Sequence, residues 1–313
     1  MKTIFGPVHS RRFGVSLGID LSPSHKQCNF DCLYCELAPA PTVDVQSSTP
    51  SVKTIITELS IALKEHKDID EITLTANGEP TLYPHLQQLI SEIDKIKEDK
   101  ETLILTNSAA LVDENVLHTL LALDQVKLSL DAVSTDIFKK IDRPYEGIDI
   151  SKLIDAVISF SKQYRGKLYI EILFVRGLND TPEEIEKLND LLHKLDPLRI
   201  DIGTIDRPPA YPVEGISYGE LVRIAQTFDA ELPINIASRV HAEFSQSHYS
   251  KEEIINTLDK RPLTPEDVEI LFDTESQQTL LELLESKEVE IIERAKLKFY
   301  IPTQNVKRKR QKS

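Results

Sequence analysis

Three thiols fall within the eight residues Cys28-Asn29-Phe30-Asp31-Cys32-Leu33-Tyr34-Cys35, and no cysteine occurs elsewhere in the 313 residues. An odd number confined to one short segment is not a disulfide framework. In a reducing compartment, clustered thiols serve metal binding or redox chemistry. Thiolates are the usual ligands of iron–sulfur clusters, and a [4Fe–4S] cubane has four irons to satisfy. Three cysteines leave one iron without a protein ligand, and an open coordination position is what a catalytic metal centre needs. The competing reading is a Cys3His zinc site with His25 as the fourth ligand. Structural zinc sites usually draw ligands from two separated pairs, and this chain has no second pair.

Chemistry at such a segment depends on the elements that hold it. Short β-branched or apolar runs at 13–20, 71–76, 102–107, 126–131, 168–175 and 199–204 predict strands. Amphipathic stretches at 51–65, 85–97, 113–121, 151–164, 181–195 and 217–228 predict helices between them. Thr181-Pro182-Glu183-Glu184 is a helix start: the hydroxyl caps, proline fits the first turn, and Glu184 is expected to complete a capping box. Six β-then-α units in a row predict an α/β fold, a partial (β/α)6 parallel barrel with its helices outside. The active site is expected at the carboxyl ends of the strands, where the βα loops gather. The cysteines follow the first strand and so belong to that end.

The pattern changes after about Leu232. Ser250-Lys251-Glu252-Glu253 and Thr264-Pro265-Glu266-Asp267 read as closely spaced helix starts, and a third helix is expected at 276–286. Val289-Glu290-Ile291-Ile292 and Lys298-Phe299-Tyr300-Ile301 read as a hairpin, so the end of the chain predicts a small winged-helix-like α+β domain. The expected divisions are a barrel domain at 1–240, the small domain at 248–303 and a basic disordered tail at 304–313.

Composition narrows the function classes. Forty per cent hydrophobic and 28% charged residues describe an ordinary globular protein. Residues 1–6 lack the apolar run of a signal peptide and no stretch approaches the length of a membrane span, so a cytoplasmic protein without membrane attachment is expected. A net charge of −14 argues against an extended nucleic-acid footprint. From Ser250 to Pro302 seven basic residues face thirteen acidic ones, a balance of −6 that does not suit gripping duplex phosphates. The basic run Lys307–Lys312 is the remaining candidate for nucleic-acid contact, a partner the sequence leaves open.

The C-x3-C-x2-C spacing resembles the signature of the radical S-adenosylmethionine (SAM) superfamily, and the likeness extends to the strand ends. Asn77-Gly78-Glu79-Pro80 is similar to the family's Gly-Gly-Glu-Pro motif, departing only at Asn77. Leu105-Thr106-Asn107-Ser108 resembles its Thr-Asn-Gly, and Ser129-Leu130-Asp131-Ala132 its Ser-Leu-Asp-Gly. The resemblance implies that Cys28, Cys32 and Cys35 are the metal ligands and catalytic residues, holding one [4Fe–4S] cluster whose open iron chelates SAM. It also implies reductive cleavage of SAM to methionine and a 5′-deoxyadenosyl radical, which abstracts hydrogen from a substrate, with an electron donor such as flavodoxin or ferredoxin. Tyr34 matches an aromatic position near the adenine. Gly78 and Glu79, with nearby backbone carbonyls, match the site for the methionine ammonium group. Asn107, Ser129 and Asp131 match polar positions for the ribose and the methionine carboxylate.

The run Gly6–Asp20, Ala76–Pro84 and Asp206-Arg207-Pro208-Pro209 resemble the branch related to wyosine-type tRNA synthases. Those enzymes carry a second cysteine set for an auxiliary cluster, and this chain has none to spare. A wyosine-like tRNA-modifying enzyme and a non-catalytic iron–sulfur or zinc protein with a partner-binding winged helix are the alternative readings. Arg11, Arg12, Arg143 and Arg207 lie beside expected strand ends and suit an anionic substrate, or else surface ion pairs. His9, His85 and His241 have no ligand spacing and read as structural or surface residues.

Overall fold

The computed structural model describes residues 3–10, 13–236, 246, 248–260, 262–294 and 297–303. Eight strands form one sheet in sequence order: β1 (Ile4–Ser10), β2 (Gly14–Asp20), β3 (Glu71–Thr75), β4 (Glu101–Thr106), β5 (Gln125–Ser129), β6 (Lys167–Phe174), β7 (Arg199–Thr204) and β8 (Ile234–Ile236). β1 runs antiparallel to β2, and every later neighbour pair is parallel. The fold is the expected α/β partial barrel, with six expected strands present and one more at each edge. β1 has no continuous strand pattern in the sequence because Gly6-Pro7 interrupts its run, and its register with β2 shifts between Phe5 and Val8. β8 is only three residues long, too short to carry a period.

Seven helices accompany the sheet: α1 (Val52–Glu65), α2 (Leu86–Asp94), α3 (Glu114–Leu120), α4 (Thr135–Ile141), α5 (Ile150–Gln163), α6 (Pro182–Leu192) and α7 (Tyr218–Ala225). α4 was not expected; its seven residues bury only Phe138 and Ile141. Side chains alternate along each strand. Leu17, Ile19, Ile72, Leu74, Val126, Leu128, Ile170, Ile172, Ile200 and Ile202 are almost wholly buried, and they share one continuous core with the helices. The other face is polar. Ser16 Oγ and Thr73 Oγ1 lie 2.6 Å apart, Gln125 Nε2 donates to Glu71 and Glu101 (2.6 Å each), Lys127 pairs with Glu171, and Arg199 Nε pairs with Asp201 at 2.9 Å.

After β8 come α8 (Lys251–Lys260), α9 (Pro265–Leu271), α10 (Thr274–Glu285) and the hairpin β9 (Val289–Arg294) with β10 (Leu297–Pro302). Ile254, Leu258, Leu263, Phe272, Leu280 and Val289 build a second hydrophobic cluster, separate from that of the sheet. α9 begins with a capping box between Thr264 and Asp267. Among the described residues no helix is long and apolar enough to cross a membrane. Arg11, Arg12, His241, the expected boundary at 240 and the tail 304–313 lie outside the described residues, as does the side chain of His9.

Candidate functional site

The cysteine segment leaves β2 and lies across the carboxyl ends of the parallel strands, sewn to three of the loops there. On one side Gln27 N donates to Asn77 O (2.9 Å) and Glu79 N donates to Gln27 O (3.1 Å), a short parallel ladder that extends the sheet. Gly78 makes this possible. Its φ is +138°, and a Cβ there would stand 2.0 Å from the Gln27 carbonyl oxygen, so only glycine fits. Across the segment, Asp31 N donates to Asp142 O (3.1 Å), Leu33 N to Ile141 O (2.8 Å), and Tyr145 N to Asn29 O (2.7 Å). Beyond the last thiol, Ala210 N donates to Cys35 O (2.8 Å). The β3 loop, the α4 loop and the β7 loop therefore fix the three thiols jointly.

All three cysteines are free and half-buried, with Cys28 and Cys32 packed against the core. Burial, then the nearby Glu79 carboxylate, pushes the Cys28 thiol up to about 12. Burial, then Asp142, raises Cys32 well above the usual thiol range, and burial raises Cys35. Thiolates are costly in such a place unless bound cations offset their charge. Among the described residues no three His, Cys, Asp or Glu groups converge as ligands of a single metal ion. A cubane asks for a different arrangement, with each thiolate on its own iron corner. Three thiols from one loop, backed by apolar packing, suit that donor set. The His25 ring faces Ser24, with Nδ1 and Oγ 2.9 Å apart.

Tyr34, Asn107, Ser129 and Asp131 all line one small cavity of about 10 Å3, together with Asp142 and Phe138. The Tyr34 hydroxyl donates to Asp131 Oδ2, tying the cysteine segment to the end of β5, while Leu173 N donates to Asp131 Oδ1 at 2.7 Å. Burial pushes the Asp131 carboxyl up, and burial with the Asp131 charge pushes Asp142 up further. Asn107 bridges outward: its Nδ2 donates to Asn29 Oδ1 at 2.6 Å and lies 3.9 Å from Cys28 Sγ. Glu79 stands apart from this cavity. Its Oε1 accepts from Thr81 N (3.0 Å), Thr81 Oγ1 and Thr106 Oγ1 (2.6 Å each), and its Oε2 from Asn107 N (2.8 Å). With a side chain this occupied, Glu79 joins the β3 and β4 ends.

Several residues of the site have no sequence signature. Asp142 accepts from the Cys32 thiol at 3.4 Å across a separation of 110 residues. Lys26 Nζ lies 3.0 Å from Asp31 Oδ1, and Arg143 Nη1 lies 3.2 Å from Asp31 Oδ2. Arg143 also lies over the Tyr211 ring, 4.6 Å from its centroid, and Arg207 pairs with Glu36 beside Cys35. Both described arginines among the substrate candidates are thus engaged in ion pairs. His85 packs edge-on against Tyr83, a structural role.

An open parallel barrel with a three-thiol loop across its carboxyl ends defines a class of cluster-dependent enzyme. The family model of the radical SAM superfamily matches residues 23–192. A UPF0026 protein of Helicobacter pylori strain J99 is 38% identical over 299 residues, which is 95% of this chain and 96% of that one. Among solved structures, a radical SAM methyltransferase from Sphaerobacter thermophilus superposes with a TM-score of 0.54 at 16% identity, covering 71% of this chain and 66% of that one. TYW1 with a lysine-pyruvate adduct bound gives 0.52 at 16%, covering 76% and 77%. These two likenesses are of fold. The chain belongs to the radical SAM superfamily, enzymes that use a [4Fe–4S] cluster and SAM, and within it to the UPF0026 proteins.

Proposed function

We propose that Cys28, Cys32 and Cys35 ligate a single [4Fe–4S] cluster and that SAM lies over the strand ends that carry Asn107, Ser129 and Asp131, above the water-sized cavity these residues line with Tyr34. One observation carries this reading: the thiol loop, through Asn29 and Tyr34, is hydrogen-bonded to Asn107 and Asp131 at the strand ends that also present Ser129. When bound, the cluster supplies the electron that splits SAM into methionine and a 5′-deoxyadenosyl radical. The protein's part is placement. Gly78 lets the thiol loop approach the β3 end, Glu79 locks β3 to β4, and Asn107 links β4 to the loop beside Cys28. Asp131 and Ser129 offer acceptors for the ribose hydroxyls of SAM. An ammonium needs acceptors, and in this reading it meets the β3 end, where the Asn77 carbonyl, which accepts from Gln27 N, has a second lone pair.

The reductant in this reading is a one-electron donor of the flavodoxin or ferredoxin type. The substrate offers its hydrogen atom within the polar barrel mouth. The test is turnover of SAM alone. Anaerobically reconstituted protein with dithionite should convert SAM to 5′-deoxyadenosine, and Cys32→Ala should not. No 5′-deoxyadenosine from protein carrying about four irons and four sulfides per chain would overturn the proposal.

A further inference from the structure

Lys26 is a lysine whose side chain is buried at the thiol loop. Its side chain is 7% exposed, in a protein of net charge −14 with ample surface for lysine. Lysine is seldom buried unless paired, because removing an ammonium from water is costly. Here the partner is Asp31, between the first two cysteines, at 3.0 Å and itself 11% exposed. Asp31 is held in turn by the Tyr211 hydroxyl (2.5 Å) and by Arg143 Nη1 (3.2 Å), so the ammonium is fixed in place. The loop does not owe its path to this pair. Backbone bonds from Gln27, Asp31, Leu33 and Val43 set that path, the last donating to Cys28 O at 2.8 Å.

We propose that Lys26 is a positioning residue that sets the reduction potential of the cluster on Cys28, Cys32 and Cys35, with Asp31 as the counter-charge that fixes it. The inference rests on the ligand assignment proposed above. Lys26 lies two positions before Cys28, and its partner Asp31 immediately precedes Cys32, so the buried ion pair holds the ammonium against the thiol loop. Reduction brings one electron from the external donor and no proton, so the thiolate-bound group gains one unit of negative charge. A fixed positive charge favours that state, and net charge is one of the levers on cluster potentials.

The experiment is an EPR-monitored redox titration of the reconstituted full chain without SAM, with iron and sulfide counted for each variant. Lys26→Gln should lower the midpoint by more than about 59 mV, the equivalent of a tenfold change for a one-electron couple. Lys26→Arg should stay within that margin of wild type, and Asp31→Asn should raise the midpoint. A structural role would move iron content and leave the midpoints together. A fully loaded Lys26→Gln protein with a wild-type midpoint overturns the inference, as does an equal shift for Lys26→Arg. Should Lys26→Gln fail to hold iron, Lys26→Met takes its place, and a loaded variant with a wild-type midpoint, or loss of iron in both, rejects the idea. Wild-type protein that forms no cluster refutes the ligand assignment instead.

Discussion

At position 78 a single methyl group is enough to separate two parts of the site. The backbone there has φ +138°, and the Gln27 carbonyl would lie 2.0 Å from the new Cβ. Gly78→Ala should part the thiol loop from the β3 end, and the reconstituted variant should retain less than half the iron of wild type while keeping its far-ultraviolet spectrum. Glu79 is a second sensitive position, since four donors share its buried carboxylate. Glu79→Ala leaves those donors without an acceptor and should cost about 2–3 kcal/mol in denaturant unfolding. The three thiols, Gly78 and the polar strand ends were legible because each sits in a short motif with fixed spacing. Lys26, Asp142 and Tyr211 were not. Their meaning comes from neighbours far along the chain, as when Tyr211 reaches back 180 residues to Asp31.

Among the elements, the clearest departure from expectation lies at the start of α6. Thr181 caps as expected, accepting from Glu184 N at 3.3 Å. The reciprocal half of the capping box is missing, because the Glu184 carboxylate turns to the loop after β5. It accepts there from Val133 N (2.6 Å), Ser134 N (2.9 Å) and the Ser134 hydroxyl, and the residue is 1% exposed. Local spacing offered a local partner, and burial against a neighbouring βα unit offered a better one. Glu184 therefore holds the loop that leads from Asp131 into α4. Glu184→Ala should lower the unfolding free energy by about 2 kcal/mol, read from the urea midpoint at constant slope. The central strands were legible because period-2 apolar runs flank obvious helices. α4 and the edge strands were not, being short or interrupted by glycine and proline.

For the whole molecule, the polar inner face of the sheet makes stability depend on pH. Burial, opposed in part by the Gln125 hydrogen bond, raises the Glu71 carboxyl from 4.5 to about 7. Between those values the native state keeps a proton that the unfolded chain has released, so this residue's contribution falls as pH rises from about 4.5 to 7. Glu71→Gln should flatten that part of the pH–stability curve, and an unchanged slope would contradict the assignment. The two hydrophobic clusters, one under the sheet and one among α8, α9 and α10, bear on the division of the chain. We expect a chain truncated after residue 245 to fold and still load its cluster.

The central claim is that three thiols hold a cluster whose remaining iron is open to SAM. Its most direct measurement is the EPR spectrum of the dithionite-reduced, fully reconstituted protein before and after SAM is added, under conditions that trap the complex. The account predicts a [4Fe–4S]+ signal whose g-values shift on adding SAM, at about four irons per chain. A spectrum indifferent to SAM, or a chain that binds one zinc and no acid-labile sulfide, would contradict it.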